Sequence, residues 1–407
     1  MLVSLTRIGA SRQGLDKAFA VVGTTHDAAA HALSRADLRL GGRQVGVTAG
    51  TQGLFSLRLP LSWLGTRPAR DDLFTELGTL LDAVAAIVER AGGALVSAGV
   101  APQRTKAVPG GDVHVLEVLS SVEQEVLCNV LRSWVPTLIA LTGTGTTTGA
   151  APPDRIGSRW LAGSNAHLST RFLASTARNH LDRVKAELRR KDGVAQLDRM
   201  DVSPADLPDG GLAVVVRCTD AAVTLAGVRA QALLMSALAM HARRLVRDGR
   251  RAGHQPQRLL EENRARAITD GMRARFEVED RKRGSVRGKR PARESARRLL
   301  RDLCVEFRNL DADPAELAPF LLALDLPGLG LRGGAAERDL LARWAGAGDA
   351  ELLSRCRSAL TNPAPGGPLL AELTSSAPGR VAVVLGEWRR GIAEAGTGRA
   401  ARRGDEA

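Results

Sequence analysis

Between residues 281 and 301, ten Arg or Lys residues stand against one acid, Glu294, so most of the chain's formal net charge of +13 sits in one segment. Such a run attracts nucleic acid, an anionic membrane or phosphate ligands without choosing among them. Arg287, Lys289 and Arg290 are its candidate contacts, and a solvated basic loop and helix is its plain structural reading. The scarcity of aromatic residues argues against stacking of single-stranded bases. The glycines of GTGTTTG, residues 143–149, suggest a phosphate cradle. That run lacks the Lys-Ser/Thr ending and follows a helix where a strand is needed, so it is not read as a nucleotide loop. Cys128, Cys218, Cys304 and Cys356 are widely spaced and form no CxxC pair. They read as reduced, buried thiols rather than as a zinc site or a disulfide framework.

Three separated pieces carry the remaining polar candidates: Val113-His114-Val115, Asp201-Val202-Ser203-Pro204 followed by the run from Val214 to Leu225, and the run from Glu262 to Gly271 with Asn263 and Arg264. Each has a structural reading of its own. A histidine on an apolar strand is commonly a satisfied core residue. Arg217 and Asp220 can pair at a strand end. Asp201 precedes a proline and suits a turn. Asn263 and Arg264 can cap or bridge a helix, and Arg159 can be a solvated loop residue.

The elements that must position these residues are readable in part. Phe55, Leu57 and Leu59 alternate with Ser56 and Arg58, the period of a strand with one buried face. Strands also read at 18–23, 45–48, 95–100, 112–118 and 211–219. In the strand at 112–118, Val113, Val115 and Glu117 share one face, and Asp112, His114 and Leu116 the other. Helices read at 26–34, from Asp71 to a stop at Gly92 and Gly93, from Ser120 to Thr142 with a kink at Pro136, and at 169–190, 222–246 and 259–268. Residues 201–208 read as a loop, and 275–278 with 285–286 as a hairpin. From 292 onward the chain reads as helical. The expected organisation is a main domain over 1–310, a helical C-terminal extension over 311–395 and a disordered tail over 396–407. That order of elements predicts an α+β fold rather than alternating α/β.

With 407 residues, 44% hydrophobic but only 3% aromatic and without tyrosine, the chain can bury a substantial, mainly aliphatic core. It has no unbroken apolar run of roughly eighteen residues and no apolar signal block. With the reduced cysteines, this makes the cytoplasm the expected location, without membrane contact.

In order and spacing the three pieces resemble the carboxylate–amine ligase family, the glutamate–cysteine ligase type 2 group. Its members carry an HVHVG strand and a helix with a Trp/Phe-Val/Leu-Pro centre, here RSWVPTLIALTG. They also carry a D-[IV]-R-P-S segment, a VEVRVxD strand and an ENR-type helix. The resemblance covers residues 45–305. It implies a glutamine-synthetase-like fold, a curved antiparallel sheet backed by helices. It also implies phosphorylation of a carboxylate, commonly that of glutamate, by ATP and magnesium, followed by attack of an amine. The retained matches imply catalytic roles for Arg217 and Asp220. They imply substrate or nucleotide contacts at His114, Arg159, Asp201, Asn263 and Arg264.

Magnesium wants oxygen ligands and must neutralise nucleotide phosphates, and here the sequence departs from the family. No Glu precedes Glu76, where an early G-x-E-x-E strand is expected. The strand LFSLRLP carries Ser56 and Arg58 where a further Glu is expected. Val215 replaces the Glu of VEVRV, Ser203 the Arg of the D-[IV]-R-P-S segment, Asp112 the first His of HVHVG, and Leu116 its Gly. The leading expectation is a divergent homologue, impaired in catalysis, that acts as a binding or scaffold protein without a resident cofactor. Its partners would be an amino-acid substrate, a second copy of the chain or an active ligase. A second expectation is an active ATP- and magnesium-dependent ligase whose metal ligands have moved to Asp112, Glu117 or Asp220. A third is a nucleic-acid or anionic-surface binder acting through residues 281–301.

Overall fold

The computed structural model describes residues 9–50, 53–100, 108–144, 157–169, 171–172, 186, 197–253, 255–280, 285–325, 340 and 343–395. Strand β1 (Arg12–Val22) is the middle of a seven-stranded sheet. Two-residue ribbons, β2 (Arg39–Leu40) and β3 (Arg43–Gln44), lie apart from it. On one side of β1 follow β5 (Leu54–Trp63) and the edge strand β4 (Gly46–Ala49). On its other side β6 (Ala94–Ser97) pairs with residues 19–22 and β7 (Gly111–Val118) with residues 13–16. Beyond β7 come β9 (Leu212–Asp220) and β8 (Val202–Asp206). All of these pairings are antiparallel.

Residues 201–208 are therefore not a loop. Most of that segment is β8, and Pro204 is tolerated there because an edge strand need not donate every amide to a neighbour.

One face of the sheet is roofed by helices. In chain order these are α1 (His26–Ser34), α2 (Arg67–Arg90), α3 (Ser121–Thr142), the short α4 (Arg159–Ala162), α5 (Leu225–Arg247) and α6 (Gln257–Asp270). Side-chain oxygens of Thr25, Ser120 and Thr224 accept the first free amides of α1, α3 and α5. Helix α2 starts at Arg67, four residues before Asp71, because Pro68 fits the first turn, where no amide is needed. Pro136 lies inside an unbroken α3.

Helix α5 is long and apolar enough to cross a membrane, although its sequence holds no unbroken apolar run, and it is almost wholly buried in the core. Val214, Val216 and Cys218 of β9 pack beneath α3 and α5 in the main aliphatic cluster.

The hairpin of β10 (Arg275–Asp280) and β11 (Ser285–Pro291) leads into α7 (Ala292–Asp302) and α8 (Cys304–Asn309). A tight turn, Pro314–Leu317, precedes α9 (Ala318–Asp325). The chain ends in α10 (Asp349–Thr361), α11 (Gly367–Ser376) and α12 (Pro378–Glu394). Leu317, Phe320, Leu321, Trp388 and Ile392 join the same cluster as α3 and α5, so this helical part shares their core. The segments 143–149 and 169–190, apart from a few residues, and the tail after 396 lie outside the described residues.

Candidate functional site

The sheet separates the expected site residues into two groups. Asp112 and His114 point into the helical layer and are fully buried, whereas Val113, Val115 and Glu117 alternate onto the open face. His114 Nδ1 lies 3.0 Å from Gln13 Nε2, and its Nε2 lies 3.3 Å from Gln231 Oε1. Ser236 donates to Gln13 Oε1 at 3.0 Å, and Gln231 donates to the Asp220 carbonyl at 3.1 Å. Burial lowers the His114 pKa, with Asp112 and Gln231 opposing it. A neutral ring accepting at Nδ1 and donating at Nε2 satisfies both ends of this chain of hydrogen bonds.

Asp112 is bound by protein groups on every side. Lys17 Nζ approaches its two oxygens at 3.1 and 3.2 Å, and the amides of Ala18 and Ala222 donate to it at 2.9 Å each. Its oxygens face a buried ammonium in the core and turn away from the open face, so the geometry does not make Asp112 a metal ligand. Asp220 is buried at the end of β9, where it accepts from the Thr144 amide and hydroxyl and from Ser158. Asp201 forms a two-pronged pair with Arg264 at 2.6 and 2.9 Å, which ties the start of β8 to α6. Burial pushes the Asp201 carboxyl up, and Arg264 draws it back. The Asn263 amide exchanges two hydrogen bonds with the backbone of Glu277 and so clamps β10 to α6. Arg159 lies in α4, and its side chain, like that of Arg287, lies outside the described residues. Lys289 is exposed on the hairpin, and Arg290 is partly exposed beside Glu294.

Of the expected residues with described side chains, Arg217 and Glu117 reach the open face, where other charged groups join them. Strand register places Asp16 beside Arg58 and Val113, Gly14 beside Val115, and Val115 beside Val215. The result is a floor of Val113, Val115 and Val215 with charged groups around it. At one end Arg58 Nε lies 3.4 Å from Asp16, while Arg217 donates to Ser203 at 2.7 Å and to Asp198 at 3.2 Å. At the other end Arg12 clasps Glu117 and holds that carboxyl below its usual range. Burial pushes the Asp16 carboxyl up, and Arg58 and then Arg217 pull it down, with a net rise.

Sequence reasoning missed Asp16. The run Gly14-Leu15-Asp16-Lys17-Ala18 in β1 has the spacing of the expected G-x-E-x-E strand, with Asp at the first acidic position and Ala at the second. A search for any carboxylate at that spacing, rather than for Glu, would have found it.

These side chains do not fit a magnesium–nucleotide centre. The two strand-borne carboxylates of the open face, Asp16 and Glu117, are each paired with arginine. Among the described residues no group of three or more His, Cys, Asp or Glu side chains is placed to hold a metal ion. The face suits an anion better than a cation.

No family model and no curated protein matches the chain. Among solved structures it is similar to the complex between the prokaryotic ubiquitin-like protein Pup and its ligase PafA. The identity is 12% and the TM-score 0.51, over 92% of this chain and 80% of that one. A glutamate–cysteine ligase from Francisella tularensis in complex with AMP aligns at 12% identity and a TM-score of 0.46, over 95% of each chain. A GmaS/ADP complex aligns at 13% identity and a TM-score of 0.34, over 61% of this chain and 57% of that one. The likeness to PafA shows the fold. The chain has the antiparallel sheet backed by helices expected of the carboxylate–amine ligases, with a helical C-terminal part.

Proposed function

We propose that this ligase-fold protein uses its open sheet face to bind a small carboxylate or phosphate ligand, and that it does not carry out magnesium-dependent ligation. The observation that carries the proposal is the pairing of both strand-borne acids with arginine, beside an Arg217 guanidinium whose partners are the Ser203 hydroxyl and the exposed Asp198. A bound anion would sit over the valine floor and take hydrogen bonds from Arg217 and Arg58, with Asp16 holding Arg58 in place. A binding role of this kind is compatible with a place beside an active ligase. The relocated-ligand alternative is less well supported, because Asp112 and Asp220 already spend their oxygens on Lys17, on backbone amides and on hydroxyls.

Calorimetric titration with glutamate, pyrophosphate and ATP, with and without magnesium, tests this reading. The expected result is binding of at least one of them that is insensitive to magnesium, weakened about tenfold in Arg217→Gln, the scale of one charge-assisted hydrogen bond. Magnesium-dependent ATP binding, with ADP release on addition of glutamate and an amine, would overturn it.

A further inference from the structure

Trp134 stands between two adjoining cavities on the outer side of the helical layer, away from the open sheet face. The cavities share Ser133, Trp134 and Gln255. The first is walled by α3, α6, the β10–β11 hairpin and α7, and it carries Phe276, Arg290 and Arg298. The second opens toward α5 and carries Val130, Leu245 and His241. Pro136 lines the first, so α3 lacks one amide of its own ladder where the cavity meets it.

The polar groups here are underused. The indole N–H of Trp344 donates to Glu372 at 3.2 Å and that of Trp388 to Asp325 at 2.7 Å. The indole N–H of Trp134 and the amide of Gln255 have no partner among the described residues. Arg290 and Arg298 approach acids four residues on, Glu294 and Asp302, at 3.6 and 3.7 Å, and both acids are more than half exposed. Exposed pairs of that length hold a guanidinium weakly. The cavity therefore offers the rings of Trp134 and Phe276, two donors without a partner among the described residues and two loosely held cations at one end, and its one carboxylate, Glu277, is already paired with Arg266.

We propose that this cavity binds a small planar ring bearing an anionic group, a carboxylate or a phosphate. The ring packs on Trp134 and Phe276, the anion meets Arg290 and Arg298, and ring substituents accept from the indole N–H and Gln255. The bulk of the helical layer and the sheet lies between this cavity and the open face, so the ligand does not compete with an anion held there.

Two probes separate the sources of the anion, 4-hydroxybenzoate for carboxylate and AMP for phosphate. Each is titrated calorimetrically and by tryptophan fluorescence. At least one is expected to bind saturably and quench emission, with the quench lost in Trp134→Leu. Arg290→Gln with Arg298→Gln should weaken it about tenfold or more. Because these side chains pair only at long range and with exposed acids, an unchanged melting temperature will certify the double variant as folded. Arg58→Gln with Arg217→Gln should leave the affinity unchanged. If neither probe binds, or if the Arg290 and Arg298 changes have no effect, the proposal fails. Affinity lost only on changing Arg58 and Arg217 places the ligand on the open face and also refutes it, while leaving the reading of that face intact.

Discussion

Glu316→Gln is expected to lower the free energy of unfolding by about 3–5 kcal/mol, the cost of stranding buried charges by removing their partner. Glu316 is fully buried in the turn before α9. It accepts from Arg70 at 2.7 and 2.8 Å and from Arg229 at 2.9 and 2.7 Å. It also accepts from the amide of Asp313 at 3.0 Å, closing the cap of its own turn. Arg70 comes from α2, Arg229 from α5, and both are buried. A glutamine keeps the shape but withdraws the charge, and its N–H₂ meets donors whichever way the amide is turned, Arg70 with Arg229 on one side or Arg70 with the Asp313 amide on the other. Arg70 would keep the carbonyls of Leu64, Leu310 and Asp311, and Arg229 would keep Asp71. Neither arrangement neutralises both cations. Asp71→Asn, at a half-exposed acid on the rim of the same cluster, should cost under about 1 kcal/mol. Denaturant melts of the two variants measure the contrast.

The same group shapes the acid limb of stability. Burial alone would raise the Glu316 pKa, but Arg70 and then Arg229 outweigh it and hold the carboxyl below its usual value of 4.5. A carboxyl depressed in the folded state contributes fully above its unfolded value and loses that contribution as pH falls through the folded one. Wild type should therefore lose stability below about pH 4.5, and Glu316→Gln should lose less over that interval. An acid limb of equal steepness in the two proteins, or equal stability at neutral pH, would show that the cluster is not holding these elements together.

Much of the sheet was legible because its polar and apolar residues alternate cleanly. In β5, Phe55, Leu57 and Leu59 are buried, and Arg58 is exposed. In β7 the two expected faces are the observed ones. The first strand was harder to read, and the reason is chemical. Its buried face carries Gln13 and Lys17 among Leu15 and Phe19, so the inner residues look as polar as the outer ones. That strand supplies Arg12 and Asp16 to the open face, and reading it poorly hid both. The Arg70–Glu316 and Lys17–Asp112 pairs join residues 246 and 95 positions apart, a distance that local periodicity cannot bridge.

The ordered motifs led to the right fold without leading to the charged residues of β1 on the open face. Strand and helix spacing is set by the scaffold, and it survives when side chains change. Asp201, Asn263 and Arg264 fasten the edge strand and the hairpin to α6. His114 is held between two glutamines. A motif residue that braces the fold looks the same in sequence as one that touches a ligand.

Asp112→Asn separates those two roles most sharply, and it is expected to cost about 3–5 kcal/mol at neutral pH. Lys17 donates to Asp112 and to the carbonyls of Ala18 and Ala222 at 2.9 Å each, while Asp112 takes the amides of the same two alanines. Every proton of the ammonium and both oxygens of the carboxylate are thus used inside a site that water does not reach. An asparagine there leaves the ammonium without a counter-charge and sets its own N–H₂ against a donor, whichever way the amide is turned. Lys17→Met strands the carboxylate instead and should cost a similar amount. Removing both charges relieves each defect, so the double variant should be more stable than the two single losses predict, by at least about 1 kcal/mol of coupling. Chemical denaturation of the four proteins yields that coupling directly. Were Asp112 a metal ligand, the single change would weaken magnesium binding and leave the apo-protein's stability nearly untouched, and that outcome would return it to the candidate site.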